Sequence, residues 1–187
     1  MDCGDRFLYG IPSDARRVVK FDPLDKSLTE IGPDFGEGIL KWMCGVRVNT
    51  GSIYCAPFNN IYYMPLNARR ILRLNPDNDS LSSVGGDLEG RRWWKYKETV
   101  VGNDDCVYGI PYAATRIVKY NPVDPYTTST VREEAEEGFY CGNGVLAGDG
   151  DIYAVNGAGQ VLQIDTPRNT TPGLVSKNLS RKISSVG

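Results

Sequence analysis

Histidine is absent from all 187 residues. That gap removes Ser-His-Asp and Cys-His nucleophile systems, HExxH zinc sites and imidazole acid–base catalysis. Chemistry built on carboxylates, lysine or tyrosine stays open, yet no catalytic, cofactor-binding or metal-binding residue stands out. Cysteine is sparse: Cys3, Cys44, Cys55, Cys106 and Cys141 are odd in number and form no CxxC pair, which excludes a zinc ribbon and a thioredoxin-like motif. They read as isolated, half-buried thiols of a reducing compartment. Cys44 and Cys55 flank one predicted hairpin, but a one-residue register difference puts them on opposite faces, so no disulfide is expected. No apolar run approaches the roughly 18 residues that cross a bilayer. Nor does Met1-Asp2-Cys3-Gly4-Asp5 show the basic and apolar regions of a signal peptide. A net charge of −2 gives no global pull toward nucleic acid or anionic membrane.

What is present is repetition. Tyr9-Gly10-Ile11-Pro12, then Ala15, then Arg17 to Pro23, reappears as Tyr62 to Pro65, Ala68 and Arg70 to Pro76. It returns as Tyr108 to Pro111, Ala114 and Arg116 to Pro122, and decays in a fourth copy from Tyr153 to Pro167. The tyrosines lie 53, 46 and 45 residues apart, a period that implies a stack of like units. The longer first interval reflects a local duplication of eight residues, Ile53 to Asn59 preceding Ile61 to Ala68. We read one repeat domain, 1–187, with units over 1–38, 39–92, 93–138 and 139–187.

Each unit divides into four short segments of strand character. The first is apolar: Lys41 to Val48, Lys95 to Val101 and Tyr140 to Ala147. Asn49-Thr50-Gly51, Asn103-Asp104-Asp105 and Gly148-Asp149-Gly150 follow, and these residue types tolerate the positive φ of a tight hairpin. The second carries the tyrosine and stops at its proline, which lacks a ladder donor. The third, such as Arg70 to Leu74, has the content of a strand buried on both faces, and it ends at an Asp-Pro or Asn-Pro turn. A weaker fourth follows in Ser27 to Ile31, Ser80 to Val84 and Thr127 to Val131, and Lys182 to Gly187 echoes it. Four antiparallel strands in about 46 residues is the size of a β-propeller blade. The expectation is an all-β propeller of about four four-stranded blades, the first lacking its first strand. Such an arc is expected to be part of a larger propeller or to be completed by another copy or another protein; the alternative, a closed four-bladed ring, leaves an unpaired edge where that strand is missing.

The pattern resembles a β-propeller-like repeat family of algal, other protist and bacterial proteins with the approximate consensus K-W-x-G-G-V-L-A-x-D-G-x-I-Y-G-I-P-x-N-A-x-x-V-L-x-I-D-P. The resemblance rests on Lys41-Trp42, Gly45-Val46, Gly144 to Ala147, Asp149-Gly150, Ile152-Tyr153, Tyr108 to Pro111, Asn67-Ala68 and the Asp/Asn-Pro turns. It extends to about Pro167 and implies the fold alone, because the shared residues are structural.

In such a blade the loop between strands two and three and the loop to the next blade share one end. That end carries the less alike segments, where recognition resides on a repeated frame. The candidate interaction face there comprises Arg16, Arg17, Arg69, Arg70, Arg91, Arg92, Trp93, Trp94 and Arg116. Arginine and tryptophan combine area, planarity and polar handles. Arg17, Arg70 and Arg116 recur at one position, either as a basic ring or as packing by aliphatic stems. Glu133 to Glu137 reads as a solvated acidic loop, lacking the spacing of an EF-hand. Asp25, Asp77, Asp79 and Asp124 read as turn residues. The functional expectation is a non-catalytic scaffold, a protein-interaction module within a larger complex. A carbohydrate- or small-ligand-binding propeller is the alternative, and a propeller hydrolase or lyase a second one.

Overall fold

The computed structural model describes residues 6–48, 61–65, 68–88, 95–114, 116–123, 128–132, 141–166 and 183–185. Among them every regular element is a β-strand, and no helix is long and apolar enough to cross a membrane. Sheet 1 contains β1 (Leu8–Gly10), β2 (Val18–Phe21) and β3 (Leu28–Ile31). Sheet 2 contains β4 (Trp42–Arg47), β5 (Ile61–Pro65), β6 (Ile71–Asn75) and β7 (Ser80–Val84). Sheet 3 contains β8 (Tyr96–Val101), β9 (Val107–Pro111), β10 (Ile117–Tyr120) and β11 (Thr128–Arg132). Sheet 4 contains β12 (Cys141–Leu146), β13 (Ile152–Asn156), β14 (Gln160–Ile164) and β15 (Ile183–Ser185). Each sheet is an antiparallel meander in chain order.

Local chemistry makes the turns. The Asp/Asn-Pro residues cap the hairpin after the third or second strand through one repeated bond. Asp22 accepts from the Leu24 amide, Asn75 from Asp77, and Asn121 from Val123, each at 3.0 Å. These are Asx turns, in which the side chain mimics a backbone turn. Asn156 does the same for Ala158 in sheet 4 without a following proline. Asp105 and Gly150 take the left-handed φ that the two described first hairpins need, at 57° and 96°. The first strands of sheets 2, 3 and 4 all shift register near their starts, at Trp42/Cys44, Tyr96/Glu98 and Cys141/Gly144. A bulge at one repeated place bends each strand alike. Of the eight-residue duplication, Ile61–Pro65 forms the paired strand, whereas 53–59 lies outside the described residues.

The core consists of three layers, one at each junction between consecutive sheets. Tyr9, Val18 and Ile31 of sheet 1 meet Trp42, Leu72 and Leu74 of sheet 2. Cys44, Val48, Ile71 and Val84 of sheet 2 meet Tyr96, Val107, Val118 and Tyr120 of sheet 3. Val100, Cys106, Tyr108, Ile110 and Ile117 of sheet 3 meet Cys141, Ile152, Ala154, Leu162 and Ile164 of sheet 4. Each sheet thus has a leading face, turned to the sheet before, and a trailing face, turned to the sheet after. Burying one Ile or Leu at such a junction contributes about 1.5–3 kcal/mol.

Two sequence expectations need correction. The third strand is buried on both faces in sheets 2 and 3, but β14 is only half-buried at Gln160, Val161 and Gln163. The reason is packing: no described sheet covers the trailing face of sheet 4. Cys44, Cys106 and Cys141 are buried thiols outside any disulfide rather than half-buried ones. Cys3 and Cys55 lie outside the described residues.

Candidate functional site

The loops at the end chosen from sequence do come together. In sheet 1 the Lys41 amide donates to the Ser13 carbonyl and the Phe35 amide to the Arg16 carbonyl, at 2.9 and 2.8 Å. The Leu40 amide donates to Asp14, and the buried Lys41 ammonium to the carbonyls of Asp14 and Gly38. These bonds stitch the β1–β2 loop to the β3–β4 loop.

An arginine fork completes the stitching and is repeated. The Arg16 guanidinium holds Asp34 from Nε at 3.0 and 2.9 Å and from Nη2 at 2.5 Å. Arg69 holds Asp87 in the same way, from Nε at 3.0 Å and Nη2 at 2.6 Å. The Leu88 amide bonds the Arg69 carbonyl at 2.8 Å, as Phe35 bonds Arg16. The hydrogen bond from Arg16 holds the Asp34 carboxyl below its ordinary range and raises the guanidinium in turn. Both pairs span 18 residues, and the two copies lie 53 residues apart. The sequence carried that signal in Asp34-Phe35 and Asp87-Leu88, at a fixed distance behind arginine.

The predicted face is therefore divided. Arg16 and Arg69 are engaged in loop-forming pairs. Arg17 donates to the Gly32 carbonyl and lies 3.8 Å from Glu30. Arg116 is exposed beside Tyr96, whose hydroxyl is pushed well up by burial and eased slightly by that guanidinium. Arg70 is exposed and lines a groove with Arg73, Ser82, Ser83, Val84, Gly85 and Gly86, a cavity of about 530 Å³. Arg73 donates from Nε to Ser82 at 3.0 Å. Among the described residues no carboxylate pairs with Arg70 or Arg73, unlike their counterparts Arg17, Lys20 and Lys119. Sequence reasoning missed Arg73, because strand-centred cations recur in sheets 1 to 3 and only their partners distinguish them. Arg91, Arg92, Trp93, Trp94, Asp124 and Glu133 to Glu137 lie outside the described residues.

A second cluster has the look of chemistry. Tyr108 donates to Asp104 at 2.8 Å, and the Lys119 ammonium stands 2.5 Å from the same carboxylate. Cys106 lies beside them, its thiol pushed up to about 12 by burial and then by the Asp104 charge. Burial opposes the charge on Lys119, but the hydrogen bond to Asp104 and the neighbouring Cys106 raise it overall. The cluster is a tie between turn and strand, since Tyr153 donates to Asp149 in sheet 4 with the same four-residue spacing at the same 2.8 Å. Among the described residues no three His, Cys, Asp or Glu side chains are grouped to hold a metal.

No protein-family model and no curated protein matches this chain. Solved structures do. Virginiamycin B lyase from Staphylococcus aureus is similar at 13% identity and a TM-score of 0.69, over 97% of this chain and 53% of that one. A catalytically inactive histidine-to-alanine variant of the same lyase, with quinupristin, gives 13% and 0.64 over 92% and 49%. A putative 6-phosphogluconolactonase from Bacteroides uniformis gives 15% and 0.60 over 97% and 55%. These lyases are propeller-type proteins, and the chain has a propeller-like all-β fold. It spans about half the length of the structures it matches.

Proposed function

We propose that this chain is a non-catalytic, propeller-type protein-interaction module whose sheets are blades of the repeat family it resembles. The observation that carries this reading is the state of the two outermost faces. Leu8 and Leu28 on the leading face of sheet 1 are 39% and 70% exposed, and Val145 and Val155 on the trailing face of sheet 4 are 61% and 50% exposed. Inside the stack the matching Val100, Val107 and Ile110 are buried and Val46 and Leu81 are partly buried, so these faces have the composition of a contact surface. The absence of histidine from these 187 residues argues in the same direction, since it leaves no imidazole here to act as acid or base.

The test is capture from a lysate of the source cells by the immobilised chain, with a Leu28→Asp/Val155→Asp chain as the control. A partner held by the first and lost by the second, and rebound when purified, supports the reading. A chain that captures nothing, or that cleaves quinupristin, contradicts it.

The groove at Arg70 favours a second reading, a small anionic ligand. Two guanidinium groups with no carboxylate partner among the described residues, two serine hydroxyls and a glycine turn suit a phosphate, sulfate or carboxylate group. Titration with inorganic phosphate tests it: heat that disappears in Arg70→Gln/Arg73→Gln supports the site, and no heat excludes it.

A further inference from the structure

The two ends of the stack expose the two halves of one contact. On leading faces, cross-strand partners line up in a constant register. Leu74 faces Leu81 in sheet 2, Val107 faces Tyr120 in sheet 3, and Ile152 faces Ile164 in sheet 4. All of these pack against the sheet before. Sheet 1 has the same row, Leu8 opposite Phe21 opposite Leu28, with no described sheet in front of it. On trailing faces, Tyr108, Ile110 and Ile117 of sheet 3 are at most 3% exposed. Their counterparts in sheet 4 are Tyr153, Val155 and Val161, and Val155 is half exposed. Sheet 4 therefore ends in the face that sheet 1 is built to receive.

Building on the interaction-module reading, we propose that two copies of this chain dock head to tail, sheet 4 of each on sheet 1 of the other, closing one ring. A second copy is the occupant that the dimensions favour. The stack overlays 97% of its own length on 53% of a propeller-type lyase, so it forms about half of a closed assembly of that fold. A contact between two different faces closes into a ring when its rotation completes a circle, and two half-circles meet that condition with the contact made twice. The faces also suit each other chemically. Leucine and phenylalanine stand on one side, valine and tyrosine on the other, as in the layer where Leu74 and Leu81 of sheet 2 meet Tyr9 and Val18 of sheet 1.

The experiment is light scattering on the purified 187-residue chain across a wide range of concentration. The expected mass is twice the 20.6 kDa of one chain. Leu28→Asp and Val155→Asp each give a single-chain mass with an unchanged far-ultraviolet spectrum. Mixing these two variants restores a pair, because one intact sheet 1 meets one intact sheet 4. Lysine at both positions repeats the test if an aspartate variant misfolds. A single-chain mass for the unaltered protein at every concentration overturns the inference, as does a Val155→Asp chain that stays paired through sheet 1 alone, or growth into larger, mixed assemblies. A monomer that still captures a different protein through Leu28 and Val155 overturns the two-copy ring and leaves the interaction-module reading standing.

Discussion

Tyr108 and Tyr153 are the same residue in the same place, and they live in different surroundings. Each donates to an aspartate four residues earlier at 2.8 Å. Tyr108 is wholly buried because sheet 4 lies over it, and burial pushes its hydroxyl well up. Tyr153 is only half-buried, and its hydroxyl is raised chiefly by the bond to Asp149. The lesson is that a repeated motif fixes local geometry, while the neighbour decides energetics. A polar tie costs little in water and becomes consequential once a sheet excludes water around it.

The comparison is sharpened most by truncating equivalent apolar residues. Ile110→Ala, in the sealed junction between sheets 3 and 4, is expected to cost about 2–5 kcal/mol in denaturant unfolding. Val155→Ala, its counterpart at the free end, should stay within about 0.5 kcal/mol under dilute conditions where the chain is single. Equal losses at the two positions would erase the difference between junction and end.

Alkali should attack the buried tie before the exposed one. The Cys106 thiol ordinarily titrates near 9.0 and is pushed up to about 12, so the unfolded chain releases that proton first and stability falls between those values. Lys119 adds to the trend: its pKa is raised, so its contribution is intact below its ordinary 10.5 and is lost as pH rises through the raised value. Asp149 has the opposite sign. Its carboxyl is lowered by bonds from the Asp151 amide and Tyr153, so its contribution is present above 3.8 and fades in acid. Thermal melts from pH 9 upward should therefore show a steady fall, and iodoacetamide should leave Cys106 unmodified in the folded chain at pH 8. Rapid alkylation under those conditions would contradict the burial.

Removing the hydroxyls tests the same pair more gently. Tyr108→Phe leaves a buried carboxylate with one donor fewer and is expected to cost about 1–3 kcal/mol. Tyr153→Phe should leave the unfolding midpoint where it was. The smallest effect belongs to the exposed fork: Arg16→Gln frees the Asp34 loop to solvent, and the change should show as faster amide exchange at Phe35 rather than as lost stability.

Much of the frame was legible because it rests on local chemistry that the period repeats. Tyr-to-Pro blocks gave β5 and β9 with ends at Pro65 and Pro111, and Ser80 to Val84 is a strand with those bounds. The Asp/Asn-Pro pairs make the turns their side chains favour. The division of the arginines was not legible. Arg16 and Arg17 are adjacent in sequence; the repeated spacing to Asp34 and Asp87 could have marked Arg16, but only the three-dimensional placement of Gly32 shows Arg17 to be engaged. Arg73 was hidden for the converse reason, since its counterparts Lys20 and Lys119 hold carboxylates and, among the described residues, it holds only the Ser82 hydroxyl. Burial of β14 was misjudged because a strand's apolar content does not say whether a second sheet covers it, and no described sheet covers the trailing face of sheet 4.

The most direct test of the account is a cross-link between the two outer faces. One copy carries Leu28→Cys and the other Val155→Cys, and the pair is oxidised at a concentration where the unaltered chain is expected to be paired. The account requires a covalent product of two chains, above the background set by the native cysteines, formed only when both substitutions are present. Free reactivity of both introduced thiols, with no such product, would show that the end faces meet nothing of their own kind.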